Sequence, residues 1–442
     1  MLAPGTDQSA QRAAAVDAVD GLAAEILGLT QALVRIPTET KPPHGDEGPG
    51  QRHLDRYLRE QLGWETDVFL PTEVPGVEDH RGWWPGLDYT DRPNVVAVRR
   101  GVGGGRSLIL NGHMDVVPAG DPAAWRHDPY GGTVEDGLLY GRGSVDMKGG
   151  IAAMVLAVHA IERAGMRLRG DVIVESVVNE ELGGYNGTLA CIARGYEADA
   201  AVVTEATLCR IMPAHKGGTG LRLRVPGRGA HANLWWRGVS ALDKALLLRR
   251  TLVELQAERA LARRSDQYFR DPEEYPIPAL VDTIWSLTAG RPDVMSPPQE
   301  AVLDFWLDAL PGESLGDVIE ELSLRLEAAA DADPFLAEHR PVLERHTAMR
   351  PFEPTAVPLD HPFVGTLAAG CRAVDGEEPR VLGFGSVCDA MMFNLHSATP
   401  AVIFGPGDLA VAHGPDEHVA VDELLRAARV LALTIVDWCG VA

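Results

Sequence analysis

DVIVESVVNEELGG, residues 171–184, carries the reading of the fold. Val172 to Val178 is a nearly unbroken apolar run rich in β-branched residues, the composition of a strand covered on both faces. Two adjacent acids, Glu180 and Glu181, follow at once, and Gly183-Gly184 lets the chain turn away. Outward from this stretch the same grammar repeats. SLILNG (107–112) leads into His113, AAVVT (200–204) into Glu205, and PAVIFGPGDLAVA (400–412) into His413. Asp146 stands just before a segment, 147–164, in which Ile151, Met154, Val155, Val158 and Ile161 recur at helical spacing. In open α/β sheets ligands gather beyond the carboxyl ends of the strands, so these five residues and Glu180 are expected at one sheet edge.

Further strands are predicted at 95–98 and helices at 8–35, 187–193 and 421–438. Near residue 215 the pattern changes. Leu221, Leu223 and Val225 alternate with Arg222, Arg224 and Pro226, the period of a half-exposed strand. A helix at 238–262, strands at 279–287 and 300–308, a helix at 315–329 capped by Ser314, and a strand at 341–346 complete a β-α-β-β-α-β order. The fold class expected is therefore α/β. A discontinuous catalytic domain, 1–214 plus 350–442, has a mostly parallel central sheet flanked by helices. It carries an inserted α+β two-layer domain at 215–349.

At 442 residues the chain is too long for a single compact core. Its net charge of −23 speaks against nucleic acid or an anionic membrane as partner, because both require a basic surface. The five cysteines are odd in number and form no CxxC pair, which suits reduced thiols. The N-terminal residues lack the basic start and apolar core of a secretory signal. Apolar stretches such as Ile151 to Ala157 fall far short of the roughly 20 residues that span a bilayer. A cytoplasmic location is expected.

Taken singly, each site residue has a bland reading: a loop histidine, a solvated acid pair, a helix cap. Their convergence does not, because several carboxylates buried together require compensating positive charge. A pair of divalent metals supplies it. Two histidines and three carboxylates without a thiolate suit zinc, with cobalt and manganese also accepted. Two metals lower the pKa of bound water from about 15.7 to about 7 and polarise a carbonyl. A spare carboxylate beside them can move the proton, worth about 10²–10⁴ in rate. Competing motifs are weak: no GxSxG, Walker A loop or HExxH occurs, and the GxGxxA match at Gly227–Ala232 lies in the insert.

The segments NGHMDVVPAG (111–120), DGLLYGRGSVDMKGG (136–150), VVNEELGG (177–184), VVTEAT (202–207), RGAHA (228–232) and AHGPDE (412–417) resemble the M20 metallopeptidase/deacylase family. They look most like its acetylornithine deacetylase/succinyl-diaminopimelate desuccinylase branch. The resemblance implies that His113 and Glu205 bind one metal and Glu181 and His413 the other, with Asp146 bridging and a cis peptide after it. It implies Glu180 as general base and acid, Asp115 as the residue orienting His113, and His231 as a lid histidine that stabilises the oxyanion. It also implies that the insert serves as lid and homodimer interface. The activity expected is hydrolysis of a small N-acyl amide or amino acid (acetyl, formyl or succinyl) by metal-bound hydroxide. The alternatives are a dipeptidase or carboxypeptidase with the same site, or a non-catalytic binding protein on the deacylase fold. Many relatives carry an Arg in the segment matching GSVCDAMMF (385–393), where this chain has Met391 and Met392. With Lys216, Asn233 and Trp235, Met391 is assigned to the substrate side. The amine half of the substrate is then expected to be less acidic than in the named branch.

Overall fold

The computed structural model describes residues 8–184, 186–263, 266–347 and 350–442. The chain divides into two compact units. The larger comprises residues 1–213, 357–384 and 388–442, and the smaller comprises 214–356 and 385–387. The insert expected at 215–349 lies within the smaller unit.

The sheet of the larger unit runs, in spatial order, Thr66–Phe69, Asn94–Arg99, Val172–Val177, Leu108–His113, Ala201–Val203, Ala401–Ile403 and Ile211–His215. Its centre is parallel: Val172–Val177 pairs with Leu108–His113, which pairs with Ala201–Val203, which pairs with Ala401–Ile403. Both margins are antiparallel, so the sheet is mixed. The central strand Val172–Val177 is buried at every position, as its apolar run predicts. Its one acid, Glu175, lies in register with Asn111 and takes a 3.0 Å hydrogen bond from the Asn111 amide.

Helix Gly149–Arg163 is buried along most of its length. Helix Val421–Cys439 packs on it and on Gln8–Asp20. Together with the sheet these make one continuous apolar core. Among the described residues one stretch, Ser144–Arg163, is long and apolar enough to cross a membrane, and 94% of that window is buried inside the protein. It is a core helix.

Two local departures from the sequence pattern have physical causes. The helix expected at 8–35 is two helices, Gln8–Asp20 and Ala23–Val34. The first closes where Gly21 N donates to Asp17 O and Leu22 N to Val19 O, while the apolar stripe simply continues past the break. The helix expected from 147 begins at Gly149. Asp146 (φ −126°, ψ 92°) and Met147 (φ −135°, ψ 34°) lie outside helical geometry, and the peptide between them is cis.

The smaller unit follows the order Gly217–Pro226, Ala241–Ala262, Thr283–Ala289, Glu300–Ala309, Leu315–Asp331 and Val342–Arg345. Its strands form an antiparallel sheet, with Thr283–Ala289 and Val342–Arg345 at the edges. Leu221, Leu223 and Val225 point into a core shared with both helices. Arg222, on the opposite face, pairs with its cross-strand neighbour Asp304 at 2.6 Å. Ser314 caps Leu315–Asp331 by accepting from Asp317 N.

Candidate metal centre

The parallel strands deliver their acids and histidines to one place. His113 is the last residue of Leu108–His113, in register with Val177. Its Nδ1 meets the main-chain oxygen of Asp115 at 2.9 Å. That contact leaves Nε2 to face Asp146 Oδ1 at 3.1 Å and Glu205 Oε1 at 3.4 Å. The other oxygen of Asp146, Oδ2, lies 3.1 Å from His413 Nε2, which also stands 3.0 Å from Glu181 Oε2. Two donor triads result, His113–Asp146–Glu205 and Asp146–Glu181–His413, each with donor atoms within 4.8 Å of one another. Asp146 belongs to both.

Glu180 stands beside the triads without joining either, its Oε2 3.9 Å from His113 Nε2. Its position comes from the turn after Val172–Val177. The Asp115 carboxylate accepts Glu180 N on Oδ1 and Glu181 N on Oδ2, both at 3.0 Å. Asn179 adopts φ +69°, and its side chain accepts from Arg92 at 3.2 Å. Arg92 is itself buried against Glu47. Gly183 N and Gly184 N both return to the Glu180 carbonyl. Asp115 therefore acts twice. Its carbonyl sets the His113 ring, while its carboxylate, 3.6 Å from that ring, holds the two-acid turn.

The charges are unbalanced. Burial pushes Glu180 well above the usual carboxylate range, and Glu205, Asp389 and Glu181 add repulsion against the attraction of His113. Burial, then Asp146, raises Glu181 to about 7 and moves Glu205 upward as well. Asp389 is raised by burial to about 7. For Asp146 burial works against ionisation, but hydrogen bonds from His113 and His413 outweigh it and hold the carboxyl well below its ordinary value. Burial likewise opposes charge on His113, and hydrogen bonds to Asp146 and Glu205 override it. Hydrogen bonds to Asp146 and Glu181 raise His413 to about 10. A basin in which carboxyls outnumber imidazoles suits divalent cations, whose charge would draw carboxyls and imidazoles alike toward their deprotonated forms. The oxygen and imidazole donors are those such ions accept.

Residues that sequence patterns did not single out hold this arrangement. Glu417 is fully buried, and its Oε1 accepts Val145 N at 3.1 Å and Asp146 N at 3.3 Å. Its Oε2 pairs with Arg142, which is 2% exposed. Both lie inside motifs quoted above, YGRGSVD and AHGPDE, whose expected metal ligands are Asp146 and His413. Removing one partner of a buried pair strands the other charge, at a cost of about 3–5 kcal/mol. Arg142→Ala should therefore lower the urea unfolding midpoint by a corresponding amount. An unchanged midpoint would show that the pair does not support the centre.

The residues expected on the substrate side are spread over both units. Met391 is 2% exposed within Ala390–His396 of the larger unit. In the smaller unit Lys216 is buried, pairs with Asp308 at 3.1 Å and lies 5.6 Å from the Phe269 ring centroid. His231 is exposed and accepts Asn233 N at the start of the short turn Ala232–Arg237. Trp235 and Trp236 on that turn are 49% and 75% exposed, so neither is a core residue.

Comparison with known proteins extends these observations. Residues 109–437 match the family model described as Peptidase family M20/M25/M40. The chain is 31% identical, over 95% of its length and 96% of the relative's, to an N-formyl-4-amino-5-aminomethyl-2-methylpyrimidine deformylase of Halalkalibacterium halodurans. A protein of the same description from Bacillus subtilis is 30% identical over 94% of this chain and 95% of its own. Among solved structures, an M20 family metallo-carboxypeptidase from Sulfolobus solfataricus superposes with a TM-score of 0.68 at 16% identity. That match covers 93% of this chain and 98% of the other, and is a likeness of fold.

Proposed function

We propose a substrate for a chain that belongs to peptidase family M20/M25/M40 and is a hydrolase of amide bonds: a small formamide whose amine half is a neutral or cationic aromatic amine, of the aminomethylpyrimidine kind. The observation that carries this reading is the full-length similarity to two deformylases whose described substrate is such a formamide. The electrostatics of the larger unit agree. Its buried cations, Arg92, Arg142 and Lys148, are committed to Glu47, Glu417 and the Ile36 carbonyl. Among the described residues no buried cation of that unit is left to receive a substrate carboxylate, and Asp389 in the 385–393 segment would repel one.

In this reading His113, Glu205 and Asp146 hold one divalent ion, and Asp146, Glu181 and His413 a second, zinc being the first choice and cobalt or manganese alternatives. Such ions, when bound, supply Lewis-acid polarisation of a carbonyl and acidify water. Glu180 takes the proton from the attacking water and delivers it to the leaving nitrogen. The formyl C–N bond breaks, a C–O bond forms, and formate and the free amine depart. Glu180 stands outside both donor triads, which leaves its carboxyl free to serve as base and then as acid. Asp115 fixes its main chain. His231 donates to the oxyanion, while Lys216, Asn233, Trp235 and Met391 belong to the amine side. A homodimer formed through the insert and a cytoplasmic setting complete the reading.

The test is formate and amine release by protein loaded with zinc, cobalt or manganese. The panel holds N-formyl-4-amino-5-aminomethyl-2-methylpyrimidine, its N-acetyl analogue, N-acetylornithine and a dipeptide. The formamide should be preferred over its acetyl analogue by about 10–200-fold in kcat/KM, the range one carbon group commands in a fitted pocket. Preference for N-acetylornithine or the dipeptide would overturn the substrate.

A further inference from the structure

Asp389 is 1% exposed, and one of its oxygens, Oδ1, has no hydrogen-bond partner. It sits at the N-terminus of Ala390–His396 but does not cap that helix, so the ordinary use of an acid at this place does not apply. Its other oxygen is fixed. Thr188 donates to Oδ2 at 2.8 Å, and Thr188 is held in turn by the Asn111 amide at 3.1 Å. Asn111 lies two residues before His113 on the same strand, so the orphan oxygen is aimed by the scaffold that aims the His113 ring.

What Oδ1 faces is shown by Gly184. A Cβ placed on that glycine would lie 3.0 Å from Asp389 Oδ1 and 3.2 Å from Glu180 Oε1. The free oxygen of Asp389 and the carboxylate assigned to proton transfer thus both lie against Gly184, where a side chain would crowd them. Native proteins rarely leave a buried acceptor unpaired, and one that borders the reacting carboxylate is placed to be satisfied by substrate.

We propose that Asp389 is a specificity-determining residue whose Oδ1 receives an N–H of the amine half of the substrate, a ring amino group of an aminopyrimidine being the matching chemistry. This rests on the formamide reading above and deepens it. An acceptor here favours a donor-bearing or cationic amine and rejects an α-carboxylate.

The experiment compares two formamides, N-formyl-4-amino-5-aminomethyl-2-methylpyrimidine and N-formylbenzylamine, which lacks the ring amino group. Wild type, Asp389→Asn, Asp389→Ala and Thr188→Val are assayed, with metal content and folding checked for each. Wild type should favour the aminopyrimidine. The Asp389 variants should lose about 10- to 100-fold more in kcat/KM on it than on the benzyl compound, as expected for a hydrogen bond to a charged group, any effect passed through Glu180 being common to both. Thr188→Val should show the same selective loss in weaker form. Equal losses on both substrates, no loss, or a wild type indifferent to the ring amino group would overturn the proposal, and the wild-type comparison stands even if the variants misfold. Wild type that cleaves neither formamide but hydrolyses N-acetylornithine would instead overturn the formamide reading, and this proposal with it.

Discussion

Glu180→Gln should lower kcat by about 10²–10⁴ and leave metal content unchanged. The argument is positional. Glu180 lies outside both donor triads, and its main chain is anchored by Asp115 rather than by its own carboxylate. Gln preserves size and one acceptor oxygen but cannot take up a proton. The lesion should therefore fall on kcat, with KM nearly unchanged, because proton transfer belongs to the transition state and not to ground-state binding. Metal analysis of the dialysed variant beside steady-state kinetics checks both halves. Full turnover would remove Glu180 from the reaction, and loss of metal would make it a ligand.

Much of this centre is legible in the sequence because it hangs on parallel strands. A strand buried on both faces announces itself as a continuous apolar run, and its carboxyl end is where function collects. That logic places His113, Glu180, Glu181, Glu205 and His413 without any contact being known. It fails where positioning depends on partners remote in the chain. The Asp115 carboxylate reaches the Glu180 and Glu181 amides across 65 and 66 residues. Glu417 reaches Asp146 N across 271. Neither distance leaves a period or spacing to read. Asp389 reads in the sequence as one more acid, since its unpaired oxygen becomes visible only when Thr188 and Gly184 are in place. The antiparallel margins were hidden differently. Thr66–Phe69 is only partly buried and has no apolar run to mark it, and strand order is a property of pairing, which apolar runs do not encode.

The same imbalance of charge that identifies the centre makes it a lever on stability, and here the second large effect is expected. Asp146, Glu180, Glu205 and Asp389 are buried together, with the Glu181 side chain, the buried His113 and the half-exposed His413 beside them. Anything that binds the folded chain and not the unfolded one stabilises it, by about 2.7 kcal/mol at a hundred times Kd. Chelation should accordingly abolish turnover and lower the melting midpoint together, and zinc, cobalt or manganese should restore both. Asp146→Ala separates ligation from the rest of the fold. Asp146 offers one oxygen to each triad, so its loss should remove the shared donor and with it the metal-dependent rise in melting midpoint, where loss of Glu205 or His413 should weaken only one triad. Glu180→Gln should keep that rise while losing turnover. Melting reports occupancy without reference to any substrate, so the result holds whichever amide the protein cleaves. A chelated protein that retains full turnover would sink the metal reading outright.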